Sequence, residues 1–255
     1  MLEASGQVVY VNEPMSTKRP PGGSPGVLNA RVHHKFQYVD PQDDGVWRRA
    51  FGDTLRLRFH PLAEIAAVRS PYHVARGAKY AAAFTLGSLR GKVAMLDDPN
   101  ALFSAPWLTE TMGVRSVVVV RDPVGMIGSW RQLGWKPDLG EWLAQPALVR
   151  DHLEGDRELI ERAHASGDWL EQMICLWTVG NRFVDRIRDR DRISIWRYED
   201  LAHDPLDRYE ALYRWCGLDF STEARDAIRE ATTASGDQHR GFAWSLKGGI
   251  SRTAF

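Results

Sequence analysis

Short runs of β-branched and aromatic residues alternate along the chain with longer stretches that mix apolar and polar residues. Such runs, when bounded by polar or turn-forming residues, are typical of β-strands. The predicted strands are Gln7–Asn12, Lys92–Leu96, Ser116–Val120 and Ile193–Arg197. The third contains four consecutive valines. An unbroken β-branched run predicts a strand that is buried on both faces, as at the centre of a parallel sheet.

Six other segments are predicted as helices. Ser70-Pro71 places a capping hydroxyl before a proline in the first turn, and Asp168 with Glu171 has the spacing of a capping box. The predicted helices are 70–86, 123–133, 144–164, 168–189, 204–217 and 221–230. The stretch 29–60 has no clear period and is left open as partly helical or loop. Strands that alternate with helices predict an α/β fold in which helices flank a mostly parallel central sheet.

Charge and composition exclude several classes of partner. The chain has 33 basic and 33 acidic residues and no long positive run, so neither nucleic acid nor a membrane surface is expected as its main partner. The cysteines Cys175 and Cys216 show no metal-ligand spacing, so no metal site is predicted. No apolar run has the length of a membrane span, and residues 1–10 lack the features of a signal peptide. A cytoplasmic protein is therefore predicted.

Each predicted strand ends at a charged turn. In open parallel sheets, ligands bind beyond the carboxyl ends of the strands. The four turns are Asn12-Glu13-Pro14, Asp97-Asp98-Pro99, Arg121-Asp122-Pro123 and Tyr198-Glu199-Asp200. If the four strands share one sheet, these turns converge on one rim, and we expect the ligand site there.

The segment VVVVRDPVGMIGSW joins the valine-rich strand to a helix. Arg121 leaves the strand where the helix begins, and its planar guanidinium suits a phosphate group. Ser129 follows two helical turns later and offers a hydroxyl, while the helix N-terminus adds favourable potential for an anion. From spacing alone, an alternative stays open: a surface ion pair between Arg121 and Asp122, with Asp122 capping the helix.

Four blocks, in order, resemble segments of the sulfotransferases that use 3′-phosphoadenosine 5′-phosphosulfate as donor. VVVVRDPVGMIGSW resembles that family's 3′-phosphate-binding segment, and ISIWRYEDLAHDPLDRYEALYRWCGL resembles its later strand, Tyr-Glu-Asp-Leu turn and helix. DDPNALFSAPWL resembles a segment that normally begins Lys-Asp-Pro, and VVYVNEP resembles the second strand with its Glu-Pro. The resemblance covers most of residues 7–220. It implies a bacterial-type sulfotransferase with a P-loop-NTPase-like architecture and no metal.

The resemblance also implies which residues bind the donor. Arg121 and Ser129 would hold its 3′-phosphate, and Tyr198 would lie near the adenine. Thr233 or Ser235, after the last predicted helix, would reach the nucleotide. The donor, 3′-phosphoadenosine 5′-phosphosulfate, is the only cofactor-like molecule that the resemblance implies.

Two glutamates receive different interpretations. By the resemblance, Glu13 is the catalytic base, which accepts the proton of the acceptor hydroxyl while the sulfuryl group is transferred. The alternative is that Glu13 is structural and hydrogen-bonds to backbone beyond its strand. Glu199 is interpreted as structural, pairing with a nearby arginine or capping a loop.

The sequence departs from the family pattern in three places. It has no Pro-Arg-Ser-Gly-Thr-Thr-like loop, which in the family cradles the 5′-phosphosulfate, and Met1 to Ser5 resemble the end of the helix that follows that loop. Asp97 replaces a lysine, and a carboxylate there repels an anionic donor. The chain also stops within a predicted loop. We interpret residues 1–255 as one sulfotransferase-like domain that is N-terminally incomplete and lacks a C-terminal segment.

Two functions remain open at this point. The first is transfer of a sulfuryl group from the nucleotide donor to a hydroxyl or amine of a small molecule, glycan or lipid, provided that the missing loop is supplied or dispensable. The second is that of an inactive remnant that binds nucleotide weakly or serves as a protein-interaction domain. A kinase of related architecture would need Gly-x-x-x-x-Gly-Lys-Ser/Thr, which is absent. The sequence does not indicate the acceptor or the oligomeric state.

Overall fold

The structure is a computed structural model that describes residues 1–17 and 23–233. It divides into two compact units, each built from segments that are distant in sequence. The N-terminal unit consists of Gln7–Val114 and Ala144–Asp151. The C-terminal unit consists of Met1–Gly6, Arg115–Leu143 and the chain from His152 onward.

The described strands are β1 (Val8–Asn12), β2 (Val93–Asp97), β3 (Ser116–Val120) and β4 (Ile193–Arg197). The α-helices are α1 (Gly45–Leu55), α2 (Pro61–Ala67), α3 (Pro71–Leu89), α4 (Ala105–Met112), α5 (Pro123–Gln132), α6 (Gly140–Leu143), α7 (Pro146–Leu148), α8 (Arg157–Ser166), α9 (Trp169–Ile187), α10 (Tyr198–His203), α11 (Pro205–Cys216) and α12 (Thr222–Thr233). Turns of 3-10 helix occupy Leu2–Ser5, Pro99–Ser104 and Glu154–Asp156, and a π-helical turn occupies Val149–Leu153. Each strand lies within one residue of its predicted position.

In the N-terminal unit, β1 pairs in parallel with β2, from Val8 opposite Val93 to Asn12 opposite Asp97. Helix α3 covers this pair and is fixed at its start as predicted, because the Ser70 side chain accepts a hydrogen bond from the backbone of His73. The core under this helix is apolar and includes Val9, Val11, Val27, Leu57 and Phe84. Burying such side chains stabilises the unit by about 1.5–3 kcal/mol for each.

Helix α3 approaches β1 closely at Gly87. A Cβ atom at this position would lie 2.2 Å from Cγ2 of Val9 and 3.1 Å from Cδ1 of Leu57. Both distances are shorter than ordinary van der Waals contacts. The close approach therefore requires glycine at this point in the helix, although glycine is a poor helix former.

We expect Gly87→Ala to destabilise the protein by about 1–3 kcal/mol through overpacking, which outweighs the gain in helix propensity. Gly180 is a matched control, because it lies within the equally long α9 and a Cβ there would meet no atom within 4 Å. Gly180→Ala should be neutral or stabilising by up to about 1 kcal/mol. Urea unfolding of both variants measures the difference, and equal effects would contradict the packing argument.

A buried ion pair between Glu64 of α2 and Arg76 of α3 is hydrogen-bonded to the loop that precedes α1. Glu64 and Arg76 are only 4% and 8% exposed, and their side chains are 2.9 Å apart. Glu64 also accepts hydrogen bonds from the Ser24 hydroxyl at 2.5 Å and the Gly26 backbone at 3.1 Å. Burial alone would raise the pKa of Glu64, but these hydrogen bonds and the charge of Arg76 outweigh it and hold the pKa below its ordinary value. The carboxylate is therefore charged in the folded protein at neutral pH.

In the C-terminal unit, β3 pairs in parallel with β4, from Ser116 opposite Ile193 to Val120 opposite Arg197. Its core lies among α10, α11 and α12 and includes Leu201, Tyr213 and Ile228. Helix α9 begins at Asp168, whose side chain accepts a hydrogen bond from the Glu171 backbone. The predicted capping residue of this helix is thereby confirmed.

The predicted single central sheet is not formed by the described strands, which pair as two separate two-stranded sheets. The parallel direction of both pairs agrees with the prediction. The prediction that Ser116–Val120 is buried on both faces is wrong, because none of these residues is fully buried and Val119 is 50% exposed. A strand with one neighbour has an open edge, so a run of valines alone does not place it at the centre of a sheet.

The prediction of one helix over 144–164 is also wrong. The chain there forms α7, a π-helical turn and a 3-10 turn before α8 begins at Arg157. Pro146 starts α7, and it lacks the N–H group that would continue a helix through this position. By contrast, the stretch 29–60 that was left open contains α1, so it is partly helical.

Candidate nucleotide site

The turn after β3 is held by three hydrogen bonds within the C-terminal unit. The indole N–H of Trp177 donates to the carbonyl oxygen of Arg121 at 2.9 Å. The backbone N–H of Asp122 donates to Oε1 of Glu199, also at 2.9 Å. The side chain of Asp122 accepts a hydrogen bond from the Gly125 backbone at 2.8 Å and so caps α5. The path of the chain from the strand into α5 is thus defined at three points.

These contacts settle two of the sequence interpretations. Glu199 is structural, as predicted, since it binds the backbone of Asp122 and lies 3.8 Å from Arg197. Asp122 caps α5, as the alternative interpretation proposed. The ion pair between Arg121 and Asp122 in that alternative is not found among the salt bridges of the described residues.

The guanidinium of Arg121 stacks on the ring of Tyr198, with its central carbon 4.7 Å from the ring centroid. Its buried Nε atom has no hydrogen-bond partner within residues 1–17 and 23–233, and no carboxylate there lies within ion-pair distance of it. A buried polar atom without a partner costs free energy, about 1–3 kcal/mol. The guanidinium is a planar cation just before the N-terminus of α5, a position suited to an anionic ligand. The structure thus brings together two of the predicted donor-binding residues, Arg121 and Tyr198.

Ser129 lies on α5, two turns beyond Arg121, and its side chain is partly buried. Across the described part of the chain, no hydrogen bond is formed by its hydroxyl. Ser129 therefore lies on the helix that begins just after the stacked arginine, and its hydroxyl can donate to a ligand. Its predicted contact with the 3′-phosphate stays a prediction.

Glu13 belongs to the N-terminal unit and follows β1 directly. Its backbone has a φ of 47°, in the left-handed region that glycine favours. The conformation is held by a 2.7 Å hydrogen bond from the Glu13 N–H to the Asp97 carbonyl oxygen, and by another from the Ser16 N–H to the Glu13 carbonyl oxygen. Strained backbone of this kind is concentrated at functional sites. The role of Glu13 as a base stays a prediction.

Two aspartates lie at the end of β2 next to Glu13: Asp97 is its last residue and Asp98 follows it. Asp97 accepts a hydrogen bond at 2.7 Å from the hydroxyl of Tyr10, and burial raises the pKa of this carboxyl above its ordinary value. Asp98 accepts hydrogen bonds from the backbone of Met15 and Asn100. Burial nevertheless raises the pKa of Asp98 to about 6.

The raised pKa of Asp98 predicts a dependence of stability on pH. Between its ordinary pKa of 3.8 and about 6, the folded protein holds a proton on Asp98 that the unfolded chain has lost. The stabilising contribution is complete below the ordinary pKa and is lost as the pH rises through 6. The change is about 3 kcal/mol, because one pKa unit corresponds to about 1.4 kcal/mol.

Asp98→Asn removes this titration. The free energy of unfolding of the wild-type protein, relative to that of Asp98→Asn, should therefore fall by up to about 3 kcal/mol between about pH 4 and pH 7. Urea unfolding at several pH values measures it. A difference that stays constant with pH would show that Asp98 does not titrate in this range in the folded protein.

Two predicted donor-binding residues cannot be placed. Thr233 is the last residue of α12, but its side chain lies outside the part of the chain that is described. Ser235 also lies outside the described residues. Their contact with the nucleotide stays a prediction. The convergence of all four charged turns on one rim also stays a prediction, because two of the turns belong to each unit.

Trp177 is part of the site but was missed by the sequence analysis. Its indole contacts a backbone carbonyl that is 56 residues away in sequence. The sequence offers only a general expectation, that a buried indole N–H has a hydrogen-bond acceptor. This expectation does not identify the acceptor, and it applies equally to all ten tryptophans.

Neither a membrane span nor a metal site is found in the described part of the chain. No helix there is both long and apolar enough to cross a membrane. No three or more His, Cys, Asp or Glu side chains are grouped there in a way that could hold a metal ion.

Fold and site together define an α/β protein with a stacked arginine just before a helix N-terminus. Comparison with known families identifies the class: the model of the sulfotransferase domain matches residues 104–247, which is more than half of the chain. The chain belongs to this family. No curated protein and no solved structure matches it. The matched region includes Arg121, Ser129 and Tyr198, whereas Glu13 precedes it.

Proposed function

We propose that the chain binds 3′-phosphoadenosine 5′-phosphosulfate and transfers its sulfuryl group to a hydroxyl or amine of a small molecule, glycan or lipid. The observation that carries the proposal is the guanidinium of Arg121, stacked on Tyr198 with a buried Nε atom that has no partner among the described residues. Membership of the sulfotransferase family supports it. The proposal includes a bacterial-type, P-loop-NTPase-like architecture, a single sulfotransferase-like domain and a cytoplasmic location.

The proposed donor contacts follow from the chemistry of each side chain. Arg121 binds the 3′-phosphate with its planar guanidinium, since paired N–H donors match phosphate oxygens. Ser129 adds a hydroxyl donor from α5, and the N-terminus of that helix favours the negative charge. Tyr198 stacks on Arg121 and presents an aromatic edge to the adenine. Thr233 or Ser235 would complete the nucleotide contacts.

Glu13 is the proposed catalytic base. The acceptor oxygen or nitrogen forms a bond to sulfur while the bond between sulfur and the bridging phosphate oxygen breaks, which leaves adenosine 3′,5′-bisphosphate. Glu13 takes the proton that the acceptor loses. The left-handed backbone of Glu13, held by a hydrogen bond to the end of β2, supports this role, because strained backbone of this kind is concentrated at functional sites.

A second candidate is nucleotide binding without transfer. It is favoured by Asp97, which occupies the position of a lysine in the family pattern and is hydrogen-bonded to Tyr10. Loss of the positive charge at this position removes stabilisation of the leaving group, which drives transfer.

Calorimetric titration tests the binding part of the proposal. The chain should bind adenosine 3′,5′-bisphosphate more tightly than adenosine 5′-phosphate, because only the former carries the 3′-phosphate. Equal affinity for the two nucleotides, or binding of neither by the folded chain, would contradict it. Formation of a radiolabelled sulfate ester or sulfamate from the labelled donor, with a panel of hydroxyl and amine acceptors, then separates transfer from binding alone.

A further inference from the structure

One peptide group at the candidate site is held at both ends by side chains. The carbonyl oxygen of Arg121 and the N–H of Asp122 belong to the same planar peptide unit. The oxygen accepts from Trp177 of α9, and the N–H donates to Glu199 of α10, each at 2.9 Å. Two separate helices thus bind opposite ends of this group.

This peptide group lies just beyond the sheet. The pairing of β3 with β4 ends at Val120 opposite Arg197, so the next peptide is not part of the ladder. At such a position, backbone groups usually bind water or a loop, and the chain direction is loosely defined. Here Trp177 and Glu199 replace the ladder, and they define the plane of the peptide that begins at Arg121.

The orientation of this peptide restricts the backbone of Arg121 and hence the direction in which its side chain leaves the chain. With its carbonyl oxygen and the following N–H both bound, rotation about the backbone bonds of Arg121 is restricted. The guanidinium then reaches the face of Tyr198, the residue that precedes Glu199 in α10. Gly125 leaves room for this arrangement, since a Cβ there would lie 3.0 Å from the Nε atom of Arg121.

We infer that Trp177 is a positioning residue for Arg121, which orients the guanidinium for the 3′-phosphate through a hydrogen bond to the Arg121 carbonyl, with Glu199 as its counterpart on the same peptide. The inference rests on the proposed nucleotide binding and adds two residues to that site. Trp177 touches no ligand atom in this role, and its effect passes through the backbone of Arg121. It should therefore change the discrimination between nucleotides more than the stability of the protein.

Trp169 provides a matched control. It lies on the same helix, is likewise partly buried, and its indole donates to a backbone carbonyl, that of Trp135, at the same distance of 2.9 Å. Trp169→Phe and Trp177→Phe each remove one indole N–H and keep an aromatic ring. The two changes should cost similar stability, whereas only the second alters the peptide next to Arg121.

The experiment compares the dissociation constants of adenosine 3′,5′-bisphosphate and adenosine 5′-phosphate for the full chain and both variants. Trp177→Phe should reduce the preference for the 3′-phosphorylated nucleotide by about 10-fold, the equivalent of one hydrogen bond of about 1.4 kcal/mol. Trp169→Phe should leave the preference unchanged. An unchanged preference in Trp177→Phe, or an equal loss in Trp169→Phe, would overturn the inference.

Two further variants cover the case in which Trp177→Phe does not fold. Glu199→Ala removes the acceptor for the Asp122 N–H and should also reduce the preference, whereas Glu199→Gln keeps an oxygen there and should restore it. Failure of the glutamine variant to restore the preference would count against positioning through this peptide. The wild-type chain distinguishes failure of the proposed nucleotide binding from failure of the positioning role. Equal affinity of the wild-type chain for both nucleotides would refute the proposed nucleotide binding. A wild-type preference that every variant retains would refute only the positioning role.

Discussion

Arg121→Ala should lower the affinity for adenosine 3′,5′-bisphosphate by at least about 100-fold, because hydrogen bonds to charged groups contribute about 1.5–3 kcal/mol each and the guanidinium can make two. The affinity for adenosine 5′-phosphate should hardly change, since that nucleotide lacks the group that Arg121 is proposed to bind. Stacking on Tyr198 holds the guanidinium in place before the ligand arrives. Little conformational entropy is then lost on binding, which favours a large effect.

Two variants sharpen this measurement. Arg121→Lys keeps the charge but loses the planar pair of donors and the stacking, so it should recover only part of the affinity. Arg131→Ala removes an exposed arginine near the other end of α5 and serves as the control, with wild-type affinity expected for both nucleotides. Isothermal titration with each nucleotide provides the values. Equal losses for both nucleotides in Arg121→Ala would indicate a general defect and would argue against a 3′-phosphate site.

Glu64→Gln should lower the free energy of unfolding by about 3–5 kcal/mol, because it leaves the buried charge of Arg76 without its counter-ion. Glu64 also binds Ser24 and Gly26 of the loop that leads to α1, so the loop should become more accessible to protease. An effect of this size is a large fraction of the stability of an ordinary domain. Urea unfolding followed by circular dichroism measures it.

An exposed ion pair is the control for this prediction. Glu161 and Arg157 are 3.9 Å apart and about half exposed, so Glu161→Gln should change stability by less than about 1 kcal/mol. The pKa of Glu64 is lower in the folded protein than in the unfolded chain. Its stabilising contribution is therefore present above the ordinary pKa of a glutamate, and it is lost in acid as the pH falls through the pKa of the folded protein. A similar small effect for both variants would show that burial does not strengthen the Glu64–Arg76 pair.

The strands illustrate how far local pattern carries a prediction. All four were located within one residue, because β-branched and aromatic runs are short-range signals. Their arrangement was predicted less well. The valine run of β3 suggested a central strand, but the described strands form two pairs and Val119 is half exposed. Burial depends on which elements pack against a strand, and a run of five residues does not contain that information.

The candidate site divides in the same way. The positions of Arg121 and Ser129 at a turn from strand to helix could be predicted, because they depend on a local pattern; their contacts with a ligand stay predictions. The stacking of Arg121 on Tyr198 could not be predicted, since these residues come together only when β3 pairs with β4. Glu199 was interpreted from the sequence as a structural residue, and its contacts agree with that interpretation. Its hydrogen-bond partner, the backbone N–H of Asp122, became known only from the structure.

The sequence by itself determined the positions of the strands, the caps at Ser70 and Asp168, and the resemblance to sulfotransferases that the family comparison bears out. Each of these depends on side chains within a few residues or on ordered short motifs. Only the tertiary structure decided that Trp177 binds the carbonyl of Arg121 and that Glu64 pairs with Arg76. A buried hydrogen-bonding group must find some partner, but packing of distant segments selects which one, and that selection is a property of the folded chain.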